Sequence, residues 1–193
     1  LEAERERRNA ARADGAKLSP LPFIIAALIK VLRDFPQCNA RHDAARAVLV
    51  RYRSVHVGIA TQTADGLKVP VVRNADRLDF AALAAEIARL AQAARANTAT
   101  RAELAGSPIT VTSLGALGGI VSTPVINMPE VAIIGINKAV DRPMVVEGAV
   151  VVRRMMNLSS SFDHRFVDGY DAAAMVQALK ELLEQPATIF IHA

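Results

Sequence analysis

The segment LPFIIAALIKVL, residues 21–32, is apolar on nearly every side when wound as a helix, so it fits only an interior position with the rest of the chain around it. Ser19 and Pro20 read as its N-cap and first-turn proline, and the helix is expected to run to about Asp34. Its apolar run is broken by Lys30 and falls well short of the ~20 residues that span a bilayer, so no membrane partner is expected. A chain of 193 residues can surround such a helix within one domain, without disulfide or metal staples. With 52% hydrophobic but only 4% aromatic residues, that core is expected to be layered aliphatic side chains.

The remaining pattern alternates strands with helices. VLVRYRSVHVGIAT, residues 48–61, reads as one strand with a wet side that carries Arg51 and Arg53, and His56 within it reads as a core or edge histidine. TADG is a hairpin signal, and LKVPVV resumes the β pattern with Pro70 marking an edge or bulge. From about Asp79, Phe80, Leu83, Ile87 and Leu90 recur at helical spacing and give a face that packs on the sheet. ITVTS is a strand that runs straight into LGALGG. That spacing is not GxGxxG and no helical period follows, so it reads as a wide turn permitting close backbone approach. VAIIGINKAV is a further strand, PMVV and AVVVRRMM around EGA form a hairpin, and Asp171 is expected to cap a last helix with Met175, Leu179, Leu182 and Leu183 as its stripe. Pro186 ends it. The fold class is α/β (α+β): a mixed β-sheet covered by helices.

The formal charge of +4 draws on LEAERERRNAARADGAK, where cations interleave with acids as on a solvated helix, and aromatics are too few for a base-stacking surface. Nucleic acid is therefore not an expected partner. Cys38 is the only cysteine, which excludes an internal disulfide; it reads as a small buried hydrophobe.

The chemistry gathers in SSSFDHRFVDG, residues 159–169. His42, His56 and His192 show no helix-like pairing with His164, so no metal site is expected. Ser159, Ser160 and Ser161 lack the GxSxG elbow of a serine hydrolase. On local chemistry alone, a histidine following a strand, with Asp168 pairing Arg165 or capping a helix, is an ordinary structural arrangement and slightly the better reading.

Several stretches taken together say more. TVTSLGALGGIVSTPVINMPEVAIIGINKAVDRP followed by MMNLSSSFDHRFVDG resembles the catalytic domain of the dihydrolipoyl acyltransferases of 2-oxo acid dehydrogenase complexes, with a DHRxxDG signature, a glycine-rich turn and a PEVAIxG strand in the family's order. The resemblance extends through KLSPLPF and HVGIATQTADGLKVPVVRNA to nearly the whole chain. Peptide-synthetase condensation domains and chloramphenicol acetyltransferases share HxxxDG but not this context.

The resemblance implies a chloramphenicol acetyltransferase-like fold and transfer of an acyl group between dihydrolipoamide and coenzyme A, with His164 as the base. Thr112 would donate a hydroxyl to the oxyanion, with Ser113 as the competitor one register away. Asp168 would fix the site through an ion pair, and Ser19 and Gln62 would bind coenzyme A, although relatives carry Asp at the position of Gln62. SLGALGG with MNLSSSFDHR looks most like branched-chain complexes, followed by acetyl and then succinyl transfer. A noncatalytic core scaffold is the reading from a different class.

The family also implies trimers that pair the histidine of one chain with the hydroxyl of the next and build cubic or dodecahedral cores, partly through an apolar C-terminal segment such as PATIFIHA. The lipoyl domain would be the substrate carrier. Decarboxylase and dihydrolipoamide dehydrogenase components would bind through regions absent here. The chain opens at Leu1 inside a charged helix, so the expectation is one catalytic domain, residues 1–193, truncated at its start and without lipoyl or peripheral-subunit-binding domains. The expected location is the cytoplasm of a bacterium, or the mitochondrial matrix in a eukaryote.

Overall fold

The computed structural model describes residues 1–12 and 17–191, so His192 lies outside the described residues. The apolar helix is α2, Leu21–Asp34, and nine of its residues, Phe23 and Leu28 among them, are buried. Ser19 does not cap it. Pro20 occupies the N-cap position without a side-chain bond, its carbonyl accepts from the Phe23 and Ile24 amides, and Ser19 stays exposed. Ahead of it, α1, Glu2–Ala10, is the solvated charged helix, with no buried residue and internal Glu–Arg pairs.

The segment read as one strand is two. β1, Ala40–Asp43, and β2, Val48–Arg51, form a hairpin of their own, and β3, Val57–Thr63, belongs to the main sheet. Between them the backbone is bonded by side chains instead of by a ladder. Asn39 Nδ2 donates to the Tyr52 and Ser54 carbonyls, and Asp76 Oδ1 accepts from the Val55 amide. Period-two alternation continues through such a break, which is why the sequence conceals it. His56, read as lying within a strand, falls instead in this break just ahead of β3: its Nδ1 accepts from the Asn74 amide, and burial lowers its pKa.

The TADG hairpin forms, with β4, Gly66–Lys68, antiparallel to β3. Pro70 separates it from β5, Val71–Val72, which pairs with the start of β3. Helix α3, Phe80–Arg95, is capped by Asp79, whose side chain accepts from the Ala82 amide, and buries Leu83, Ile87 and Leu90. It is the crossover that lets β6, Ile109–Ser113, run parallel to β3. β7, Ala132–Ile136, is parallel to β6, and β10, Leu158–Phe162, closes the edge antiparallel to β7. The order β10-β7-β6-β3-β4 is thus a mixed sheet, as the pattern required. β8, Val140–Val146, and β9, Ala149–Met155, form a separate exposed hairpin around Glu147 and Gly148, both at positive φ.

Helix α4, Gly169–Glu184, buries Met175, Leu179 and Leu183. α2 contacts both α3 and α4, so the three make one helical layer. The following turn, Pro186–Phe190, packs on its own domain: Ile189 is buried, the Phe190 ring lies 5.1 Å from Phe80, and Lys30 Nζ donates to the Thr188 carbonyl at 2.8 Å. Of PATIFIHA only Ile191 is exposed among its described large apolar residues, which narrows the segment free to meet another chain. Cys38 is fully buried, and burial, with the nearby Asp171 charge, pushes its thiol up to about 12.

Candidate active site

β10 ends at Phe162, and the next five residues form a tight turn that presents His164. The Asp163 amide donates to the Val131 carbonyl, tying the turn to the entrance of β7, and the Phe166 and Val167 amides return to the Asp163 carbonyl. Val167 is buried and pins the far side. Arg165 pairs with Asp163 and not with Asp168: the guanidinium forks onto the Asp163 carboxylate at 2.6 and 2.9 Å and holds its pKa below the usual carboxylate range. His164 is exposed and makes no hydrogen bond or ring contact among the described residues, which leaves both ring nitrogens available for chemistry.

Asp168 forms no ion pair among the described residues. Its side chain accepts from the Asp171 amide at 2.9 Å and is the N-cap of α4, the position expected for Asp171. Asp171 instead accepts from Gln37 Nε2 at 2.7 Å. An aspartate between the turn and a buried helix still fixes the turn, by capping in place of charge pairing.

Thr112 is half-buried near the carboxyl end of β6, in register with Ala60 of β3 and Gly135 of β7. Ser113 is the last residue of the strand, exposed, and its Oγ accepts from the Gly115 amide, so that hydroxyl is already engaged in the glycine turn. Gly115 has φ +53° with open space where a Cβ would stand, so the turn there demands glycine for its backbone. Gln62 is exposed two residues past the Ala60 register, at the same end of the sheet as Thr112, and donates to the Thr63 carbonyl.

The sheet register sets the geometry of the site. Gly135 pairs with Ser159, whereas Phe162 pairs with Ala132 at the other end. Two strand spacings across and three residues along put Thr112 and Phe162 ~14 Å apart, with His164 beyond the strand end. Within one chain the histidine and the hydroxyl therefore do not come together.

Two further residues, Glu130 and His42, have no role assigned by the sequence pattern. Glu130 is 4% exposed, and its Oε1 accepts from Ser107 Oγ, Thr110 Oγ1 and Asn127 Nδ2 at 2.5–3.0 Å. Burial pushes its pKa up, against those three bonds and the nearby Arg41 charge. The signal was present, since a glutamate directly ahead of the unbroken apolar strand VAIIGI has to be buried with it. The other is His42, whose ring lies 4.8 Å from that of Phe166. Among the described residues no group of three His, Cys, Asp or Glu could hold a metal ion, and no helix is long and apolar enough to cross a membrane.

Residues 1–191 match the family described as 2-oxoacid dehydrogenases acyltransferase (catalytic domain). The chain is 59% identical to the lipoamide acyltransferase component of the branched-chain alpha-keto acid dehydrogenase complex of Pseudomonas putida, over 100% of this chain and 46% of that protein. Against the same component of Pseudomonas aeruginosa, identity is 63% over 91% of this chain and 41% of that protein. The acetyl- and succinyltransferase components of that organism stand at 39% and 36%. The chain thus spans less than half the length of the branched-chain relatives it matches.

Among solved structures, the Azotobacter vinelandii dihydrolipoamide acetyltransferase superposes with a TM-score of 0.93 at 38% identity, over 99% of this chain and 79% of that one. The cubic core of a pyruvate dehydrogenase multienzyme complex superposes equally well, at 39% identity. A chloramphenicol acetyltransferase, at 17% identity and TM-score 0.60, shares the fold. The Azotobacter structure concerns a serine, a histidine and an asparagine in that enzyme's catalytic mechanism. There the serine stands 52 positions before the histidine and the asparagine 4 after it, and the same intervals from His164 fall on Thr112 and Asp168.

Proposed function

The chain belongs to the acyltransferase catalytic-domain family of the 2-oxoacid dehydrogenases, and on that footing we propose that it moves a branched-chain acyl group between dihydrolipoamide and coenzyme A. The observation that carries the reading is His164, exposed and without a bond among the described residues, standing as far from the Thr112 hydroxyl along the chain as the histidine stands from the serine in the Azotobacter enzyme. Identity of 63% to one organism's branched-chain component, against 39% and 36% to its acetyl and succinyl components, supports the acyl preference.

The chemistry follows from the groups available. A thiol of pKa ~8.5 is only ~3% thiolate at neutral pH, so transfer needs a base, and a neutral imidazole of reference pKa ~6.5 can serve as one. His164 takes the proton of the coenzyme A thiol, and the sulfur attacks the thioester carbon of acyl-dihydrolipoamide. The Thr112 hydroxyl donates to the resulting oxyanion. Collapse breaks the carbon bond to the lipoyl sulfur, which leaves with the proton held by His164. Asp168, as the cap of α4, keeps the turn in place and moves no proton. Ser19 and Gln62 are exposed polar groups able to bind coenzyme A, with Gln62 at the Thr112 end of the sheet.

Since His164 and Thr112 lie at opposite ends of the sheet, the complete site forms between neighbouring copies in a trimer. Exposed apolar side chains support such an assembly: Leu117, Val125 and Met128 on the loop after β6, and Val145, Val150 and Val152 on the β8–β9 hairpin. Trimers would in turn build a larger core that receives the lipoyl domain. The test is a coupled transfer assay with isobutyryl-, acetyl- and succinyl-coenzyme A and free dihydrolipoamide. The highest kcat/KM is expected for isobutyryl, with a loss of roughly 10² to 10⁴ in His164→Ala. Parental activity in that variant would refute the base.

A further inference from the structure

Building on His164 as the base, we propose that His42, 122 positions earlier in the chain, is the residue that positions it. Among the described residues His164 makes no bond of its own, so its place is set by the turn that holds it and by whatever that turn leans on. Both side chains that follow it end at His42. The Phe166 ring packs on the His42 ring at 4.8 Å with a 42° tilt, and Arg165 Nη2 comes within 3.5 Å of His42 Nδ1. The Arg165 guanidinium, gripped by Asp163, also lies 5.1 Å from the Phe166 ring, so the three side chains form one stack.

His42 is itself anchored. Its amide donates to the Pro129 carbonyl at 2.8 Å, and the backbone of the preceding Arg41 forms an antiparallel β-bridge with that of Glu130. Glu130 is in turn fixed by Ser107, Thr110 and Asn127 inside the sheet. A rigid path therefore runs from the buried carboxylate through β1 to the turn of His164. The β1–β2 hairpin, which lies outside the main sheet, acts as a brace for the base.

The Arg165 contact sits at the outer limit of a hydrogen bond, so packing of flat rings is the operative feature and the imidazole's proton is not. That distinction is testable in the assembled protein with His42→Ala and His42→Phe. His42→Ala is expected to lower kcat about ten- to a hundredfold while leaving both KM values within about twofold, since small misplacement of a base costs rate and not binding. His42→Phe keeps the ring and is expected to restore kcat to within about threefold of the parent. Amide exchange at Phe166 and Val167 should accelerate in His42→Ala and return to the parental rate in His42→Phe.

Parental kcat with parental exchange in His42→Ala would overturn the proposal, as would His42→Phe behaving like His42→Ala. His164→Ala, measured alongside, separates this from its premise. If that variant stays active the base assignment falls, and the exchange rates alone then decide whether His42 fixes the turn.

Discussion

Replacing Glu130 with alanine should destabilise the domain by about 2–4 kcal/mol. Its Oε1 accepts three hydrogen bonds inside the sheet, and a bond to a charged group is worth roughly 1.5–3 kcal/mol net. Relief of the buried charge gives several kcal/mol back. Three buried donors left without their acceptor keep the balance unfavourable. The pH dependence gives a sharper signature. Burial raises the Glu130 pKa above its ordinary 4.5, so the folded chain holds this proton more tightly than the unfolded one. That contribution is fully present below 4.5 and is lost as pH rises through the folded value. The difference between parent and Glu130→Ala should therefore be larger in acid than at neutral pH. Urea unfolding at matched protein concentration measures it. A difference below about 1 kcal/mol, or one that grows with rising pH, would refute the buried-network account.

The other predictions are briefer. In Gly58→Ala the new Cβ would stand 2.6 Å from Thr110 Oγ1 and 2.9 Å from Ser107 Oγ, so a loss of about 1–3 kcal/mol is expected in the same unfolding assay. Asp168→Asn retains a good helix cap and should keep near-parental kcat, whereas Asp168→Ala should lose about 1 kcal/mol of stability; a collapse of activity in the asparagine variant would mean that the charge itself is needed. Cys38 should resist iodoacetamide at mildly alkaline pH until the protein is unfolded, because its thiol is raised to about 12. Val150→Asp on the exposed hairpin should shift sedimentation from trimer toward monomer; an unchanged profile would exclude that hairpin from the interface.

The sequence disclosed what depends on periodicity and concealed what depends on side-chain bonds to the backbone. The apolar helix, the TADG hairpin, the helix from Asp79 and the strand ITVTS all follow from local patterns of residue type. The break between Arg51 and Val57 does not, because Asn39 and Asp76 create it from outside the segment. Ser19 was a plausible cap, yet Pro20 holds that position, and of the two aspartates able to cap the last helix it is Asp168 and not Asp171 that does so. His164 and Thr112 were legible through the order of motifs. Their separation within one chain was implied only by the family resemblance and not by any local pattern, since it depends on β10 running antiparallel to β7. The brace at His42 belongs to the same category, because nothing local ties it to Phe166.

The central claim is a site shared between chains, and subunit mixing tests it most directly. His164→Ala and Thr112→Ala, each nearly inactive alone, would be unfolded together in equal amounts and refolded. If the histidine of one copy works on the hydroxyl of the next around a threefold axis, random mixing should restore about a quarter of the parental sites. If each chain supplies both groups to its own site, the mixture will stay as inactive as its two components.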